Sequence, residues 1–363
     1  MNIIIFNWRD PRNPKSGGAE IMTLEHAQAW VEAGYRVTWF AQDFTHAKHS
    51  EIFKGIEIIR KGNSVSVLIF ALFFYLFVGR KFDIVIDQIH GFPFFTPLYV
   101  RRAKIIAMIH EVAGEIWDYM YPSPVNFLGR LFEKIMLVPY KNIPFITVSE
   151  STKKELYIFG IKKVFVIQNG LRFDTPVKKV AKMKHPTFIF VSRLVKMKGI
   201  EEVLKTFAYI LKEYSDAHLL ILGGGEENYI NKLKQFAKDF SLGKHVHFYG
   251  RVDEAKKYEL LRQSHILLHA SVKEGWGLVV IEAASQGTPA VVYDVPGLRD
   301  SVKNKITGII VKENTPRDMA EAAILLYKNK KQYQNLQKNC VQWANSLTWE
   351  SAVKKSLSLL SSL

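Results

Sequence analysis

Short apolar runs alternate with helical stretches along this chain, and they do so twice. The first series of runs covers residues 3–8, 37–41, 56–60, 83–87, 105–109, 145–148 and 164–167. The second covers residues 187–191, 217–222, 246–249, 265–269, 289–293 and 308–311. Helices over residues 316–328, 331–344 and 349–360 finish the chain. Strands that take turns with helices lie parallel in a sheet covered by helices on both faces. The fold class is therefore α/β, with two Rossmann-like parallel-sheet domains. Residues 171–186 lack periodicity and contain Pro176 and Pro186. They read as a linker between a first domain, 1–170, and a second, 187–346. Two halves of similar size suggest a cleft between them. Ligands of such sheets bind beyond the carboxyl ends of the strands, so functional residues should follow strands.

Residues 273–291, KEGWGLVVIEAASQGTPAV, fit that rule best. A turn at Gly275-Trp276-Gly277 follows the run at 265–269 and opens an apolar helix over 278–285. Gly287 suits the end of that helix, and Pro289 prevents its continuation. The first N–H groups of a helix lack partners and carry positive partial charge, so phosphate oxygens can dock at Gly277, Leu278 and Val279. Glu274 and Glu282 lie about 80° apart on an ideal helix, so one narrow face cannot hold both. Glu274 on the preceding loop and Glu282 about one turn inside the helix can share a pocket. A phosphate site flanked by two acceptors for sugar hydroxyls describes a sugar nucleotide. The plainer reading is a solvated Glu282 and glycines that serve only the turn.

Other strand ends carry chemistry as well. Gly17-Gly18 precedes a helix that should run to about residue 33, the order of a phosphate cradle or of an ordinary flexible turn. His110 directly follows the run at 105–109. Ser149 to Thr152 follows 145–148 and reads as a helix N-cap. Arg193 and Lys198 follow 187–191 and offer a planar fork and a point charge, a sensible pair for diphosphate or simply a basic surface loop. Gly223-Gly224-Gly225 lacks the spacing of a dinucleotide site.

The formal net charge of +16 favours polyanionic partners: nucleic acid, an anionic membrane face or phosphorylated substrates. A single cysteine, Cys340, excludes an internal disulfide and a Cys-cluster metal site. The opening MNIIIFNWRD lacks the pattern of a signal peptide, which sets a cytoplasmic expectation. Residues 65–78, VSVLIFALFFYLFV, carry no charge but fall short of the roughly 20 residues a spanning helix needs. They read as a core helix or one that dips into a membrane surface.

Taken in order, these residues resemble glycosyltransferase family 4: retaining, nucleotide-sugar-dependent enzymes of the GT-B fold. The resemblance runs through Gly17-Gly18-Ala19-Glu20, His110, Ser149-Glu150-Ser151, Asn169-Gly170, Arg193 with Lys198-Gly199, Gly223-Gly224-Gly225, Tyr249-Gly250-Arg251-Val252 and the Glu274…Glu282 pair. It implies that Glu282 binds the donor ribose and Glu274 holds sugar hydroxyls at the reacting face. Arg193 and Lys198 would bind the diphosphate, with Gly17, Gly18 and the amides of Gly277, Leu278 and Val279 as further donor-site groups. The backbone around Arg251 would meet the base, and His110 would orient the sugar or the acceptor. A last helix, 347–363, would cross back onto the first domain. Ser192 stands where the family often has glycine, and Trp276 where it often has Phe.

The resemblance implies a hexosyltransferase that needs no cofactor, with a UDP- or GDP-sugar as substrate. No acidic metal motif is evident, so metal-independent transfer is expected. The expected acceptor is a glycan or polyprenyl-linked glycan. Residues 65–78, the run Phe92-Pro93-Phe94-Phe95 and the basic pairs Arg80-Lys81, Arg101-Arg102 and Lys153-Lys154 point to work at the inner face of the cell membrane. A nucleotide-sugar epimerase and a silent nucleotide-sugar-binding subunit are the alternatives. Nucleic-acid binding is disfavoured, because the basic residues are scattered and no binding module is recognisable.

Overall fold

β1 (Asn2–Phe6) shows why the strands form where they do: Ile3, Ile4, Ile5 and Phe6 are all fully buried. A strand covered on both faces must be apolar throughout. The structure, a computed structural model, describes residues 1–171 and 181–362. Most of the linker expected at 171–186 therefore lies outside the described residues. The chain divides into two units, Met1–Gly170 with Thr348–Leu363, and Leu171–Leu347.

In the first unit β1 is followed by α1 (Gly18–Glu32), β2 (Arg36–Ala41), β3 (Ser50–Phe53), β4 (Ile56–Arg60) and α2 (Val67–Val78). Then come β5 (Ile84–Ile89), β6 (Lys104–Ile109), α3 (Ile116–Met120), α4 (Val125–Met136), β7 (Phe145–Thr147), α5 (Glu150–Ile158) and β8 (Val164–Val166). The eight strands form one sheet in the order β3-β4-β2-β1-β5-β6-β7-β8. All pairs are parallel except β3 with β4. That antiparallel edge departs from the sequence expectation. A two-residue turn makes it, with Lys54 at φ 53° and Gly55 at φ 76°, the backbone that a tight hairpin requires.

Of residues 65–78, Val67–Val78 form a helix, but not a core helix. α2 buries only Val67, Ala71 and Tyr75, while Ile69, Phe73, Leu76 and Phe77 are exposed. The aromatic run that follows β5 is divided likewise. Phe94 is buried and stacks on Phe6 with ring centroids 5.6 Å apart, whereas Phe92 is exposed. Among the described residues no helix is long and apolar enough to cross a membrane.

The last helix, α13 (Trp349–Ser362), packs on α1 of the first unit. Ser356 Oγ accepts a hydrogen bond from Trp30 Nε1 at 3.1 Å and lies 3.0 Å from His26 Nδ1, all three residues being buried.

The second unit holds β9 (Thr187–Val191), α6 (Ile200–Glu213), β10 (His218–Leu222), α7 (Glu227–Asp239), β11 (Val246–Gly250) and α8 (Glu254–Gln263). It continues with β12 (Ile266–His269), α9 (Leu278–Ser285), β13 (Ala290–Val292), α10 (Leu298–Ser301), β14 (Gly308–Ile310), α11 (Pro316–Lys328) and α12 (Lys330–Asn345). Its sheet runs β11-β10-β9-β12-β13-β14, parallel throughout. Both units are thus parallel-sheet α/β domains.

Candidate active site

In the second unit the candidate residues cluster on the loops that leave neighbouring strands. β9 and β12 are paired in register, Phe188 with Ile266 and Ile189 with Leu267, so their loops emerge side by side. Val272 N–H donates to Met197 O at 3.0 Å and ties the two loops together. Gly199 makes this approach possible. Its φ is 72°, and a Cβ there would lie 1.9 Å from Ala270 O, so any side chain would force the loops apart.

The outcome is a charged junction. Lys198 Nζ lies 2.7 Å from Glu274 Oε1, and His269 Nε2 approaches the same oxygen at 3.0 Å. The backbone of Glu274 is held as well, its N–H donating to Pro296 O at 3.1 Å. Burial alone would raise the Glu274 pKa, but Lys198 and His269 outweigh it and hold the carboxyl well below the usual carboxylate range. Glu274 is therefore an anion at neutral pH, and the His269 nitrogen facing it must carry the hydrogen. Phe190 stacks on the His269 ring at 5.9 Å and fixes its plane.

Three residues beyond Glu274 the chain turns into α9. Gly277 is its N-cap, with φ 77° and ψ 53°, a left-handed conformation that glycine adopts without a Cβ penalty. No side chain caps this helix, so the first amides, from Leu278 and Val279, stay available to an anion. Trp276 is buried behind the turn. Glu282, about one turn into α9, pairs with Lys257 of α8 at 2.9 Å, and Lys257 also meets Glu254 at 2.9 Å. Burial raises the Glu282 pKa more than Lys257 lowers it.

Arg193 and Arg251 are exposed on the loops after β9 and β11. The triple glycine after β10 lies between those loops: Leu194 N–H donates to Gly224 O at 2.8 Å, and a Cβ on Gly224 would meet Arg251 Nε at 2.8 Å. Its role is close backbone packing beside the basic loops. Among the described residues no group of three or more His, Cys, Asp or Glu side chains is arranged to hold a metal ion.

Gly17, Gly18 and His110 belong to the first unit. Gly17 precedes α1, and its N–H donates to Glu20 Oε2 at 2.7 Å, while Arg9 Nε donates to Glu20 Oε1 at 2.9 Å. His110 stands at the end of β6, its ring centroid 5.6 Å from that of His90 beyond β5. Burial, and then the neighbouring His90, push the His110 pKa down to about 3. Burial, and then Arg9, lower that of His90 to about 4. Both rings are neutral at pH 7, and His110 Nε2 is buried without a hydrogen-bond partner among the described residues. Ser149 caps α5 by accepting from Thr152 N–H at 3.2 Å, so the plain N-cap reading of that residue is right.

Sequence reasoning singled out His90, which follows the run at 83–87, but passed over two of these side chains. His269 closes a strand, a signal that was present. Lys257 offered none, because its partner Glu282 lies 25 residues away on another helix.

Comparisons with known proteins give the family and the fold. Residues 16–174 match the model of Glycosyltransferase Family 4, and residues 172–343 that of Glycosyl transferases group 1. An uncharacterised glycosyltransferase of Methanocaldococcus jannaschii is 31% identical over 351 residues, spanning 88% of this chain and 87% of its own. A second relative is the N,N'-diacetylbacillosaminyl-diphospho-undecaprenol alpha-1,3-N-acetylgalactosaminyltransferase of Campylobacter jejuni. It is 28% identical over 293 residues, 74% of this chain and 75% of that protein. Among solved structures, a sucrose-phosphate synthase from Thermosynechococcus elongatus superimposes with a TM-score of 0.82 over 99% of this chain and 98% of that one, at 18% identity. That likeness is one of fold.

Proposed function

This chain belongs to glycosyltransferase family 4, and from that premise we propose that it moves a hexose-type sugar from a nucleoside diphosphate sugar to a glycan or polyprenyl-linked glycan at the cytoplasmic membrane face. Transfer retains the anomeric configuration and needs no metal. The observation that carries this reading is the Lys198–Glu274–His269 junction at the mouth of an uncapped helix.

Each part of the junction has a task. A departing diphosphate needs positive charge where the bond breaks, and donors already in place are the strongest available help. Lys198, the exposed fork of Arg193 and the amides at Gly277, Leu278 and Val279 supply it. Glu274, fixed as an anion, accepts from sugar hydroxyls. Glu282 accepts from the ribose, with Lys257 offsetting its charge. Both carboxylates bind, and neither serves as a nucleophile. The acceptor hydroxyl attacks from the side of the leaving group and gives its proton to the departing phosphate. The neutral His110 orients a hydroxyl through its unpartnered nitrogen. The backbone near Arg251 meets the base. The Campylobacter relative, whose name gives a diphospho-undecaprenol-linked acceptor, supports a lipid-linked acceptor here.

The test is a thermal-shift panel of UDP-, GDP- and ADP-sugars, with Mg²⁺ and with chelator, on wild type and Glu282→Ala. A donor present at about 100 Kd should add about 2.7 kcal/mol of stability. One nucleotide class should shift the wild type equally in both buffers and fail to shift the variant. No shift with any donor would sink the site assignment.

A further inference from the structure

The first unit wears one of its helices inside out. α4 turns Gly129, Glu133 and Met136 inward, so its buried side includes a carboxylate only 3% exposed. Its outer side carries Phe127, Leu128, Leu131, Phe132 and Ile135, every one exposed, Phe127 by 61%. Steps of one, four, five and eight residues place these on a single stripe of the helix. A surface helix of a soluble domain normally has the reverse pattern.

The inversion is fixed from beneath. The two oxygens of Glu133 accept the backbone N–H groups of Ala113 and Gly114 at 2.6 and 2.8 Å. A Cβ on Gly129 would lie 2.3 Å from the Trp117 ring, so α4 rests directly on that indole. Rotating the stripe inward would break both hydrogen bonds and lift the helix off Trp117.

α2 adds a second stripe on the same side of the sheet. Phe6, Asp87 and Ala107 are register partners across β1, β5 and β6 and so point to one face. Phe6 packs with Val67, Ala71 and Tyr75 of α2, and Ala107 packs with Met136 of α4. Both helices therefore cover that face, and α2 presents Ile69, Phe73, Leu76 and Phe77 outward, the last 84% exposed. Exposed Phe92 rests against Phe132 at 5.5 Å.

The charges decide what covers this surface. α2 has no charged residue, and the exposed Arg80 and Lys81 follow it directly. On α4 the only acid is the inward Glu133, while Arg130 and Lys134 flank the stripe along one edge. Every charge that the two helices offer to the outside is positive. Arg130 is paired with Asp118 of α3 at 3.1 Å, and Lys134, Arg80 and Lys81 leave the border of these large apolar side chains net positive, which matches the boundary between anionic headgroups and acyl chains.

We propose that the face formed by α4 and α2 docks this protein on an anionic lipid bilayer, with the α4 stripe as the inserting element. The proposal deepens the reading of a membrane-borne acceptor and rests on that reading for its purpose. The test is flotation of the full chain with vesicles of phosphatidylglycerol and phosphatidylcholine, or of phosphatidylcholine alone, at low and high salt. Wild type should bind the anionic vesicles at least about tenfold better than the neutral ones, and salt should weaken binding. Leu131→Ser with Phe132→Ser should lower binding by about tenfold or more, with an unchanged circular dichroism spectrum and thermal midpoint. Lys134→Glu should lower it on anionic vesicles only. Wild type that stays off anionic vesicles, or a double variant that floats as well as wild type, overturns the proposal. So does a wild-type dimer in light scattering that the double variant dissolves, since the face would then bind a second copy. Donor thermal shifts on the same samples separate the two readings. Lost flotation with an intact donor shift rejects the docking face alone, and flotation without a donor shift rejects the donor site alone.

Discussion

α9 and α2 are both apolar helices beside a parallel sheet, and their fates differ. α9 buries Val280, Ile281, Ala283, Ala284 and Ser285, because α8, α10 and α12 pack around it in addition to β13. α2 packs on the sheet through one stripe and leaves four large apolar side chains exposed. The difference teaches that apolarity states a helix's need for cover, while the number of neighbouring elements decides whether the fold itself supplies it. Where the fold does, as at α9, the helix becomes rigid enough to aim its first amides and Glu282. Where it does not, the surface is left for something outside the chain.

The sharpest way to break this comparison is at the mouth of α9. Lys198→Ala leaves Glu274 as a buried anion with a single partner and removes a charge from the proposed diphosphate position. Initial rates with the donor identified by the thermal-shift panel should fall by about 10²–10³. Rates within a few-fold of wild type would mean that the junction only holds the loops.

Next in size is a matched pair of truncations. Ile281→Ala in α9 opens a cavity in a closed core and should cost about 2–5 kcal/mol by chemical denaturation. Phe73→Ala in α2 removes a larger side chain but, in detergent-free buffer, should stay within about 0.5 kcal/mol of wild type. Similar losses at the two sites would abolish the distinction between covered and uncovered helices.

The smallest effect separates the two units by pH. Burial first, and then His110 for His26, Arg9 for His90 and His90 for His110, push these rings down to about 4, 4 and 3. In the second unit His265 is also lowered to about 4, by burial and then Lys182. An unfolded chain takes up protons at such rings near pH 6.5, and the folded one does not until near pH 4. Their stabilising contribution is thus complete above about pH 6.5 and is lost as pH falls toward 4. The contribution of Glu274, whose pKa is depressed, disappears only as pH drops below the usual carboxylate range, about 4.3. Hydrogen-exchange protection, corrected for intrinsic rates, should therefore fall further in β5 and β6, whose unit holds three such rings, than in β12 and β13, beside one. The expected loss is on the order of 1–2 kcal/mol, and His26→Gln should reduce it. Equal losses in both units would remove the pH contrast.

Much of this molecule was legible in the sequence. The helix at 278–285 appears at those bounds, because a glycine N-cap, a glycine stop and a proline punctuate it. The parallel strands were legible because burial on both faces demands unbroken apolar runs. β3 was not, since its alternately exposed residues sit at a sheet edge and its turn, Lys54-Gly55, lacks the usual Asn or Asp. α4 was not, because its polar and apolar faces are exchanged and the periodicity cannot say which one looks inward. At the site, both glutamates and the basic loop could be named, but not Lys257 as the partner of Glu282. Pairing between helices depends on how they pack, and nothing local in the sequence encodes it.

The return of α13 to the first unit has a consequence for biosynthesis. A ribosome completes β1 to β8 about half a chain before it makes Ser356. Until then Trp30 Nε1 lacks the hydroxyl that accepts its hydrogen bond, and the α1 wall that α13 covers stands open. The unit translated first thus finishes folding last, and a nascent chain that stalls inside the second unit holds out an incomplete first one to chaperones and proteases.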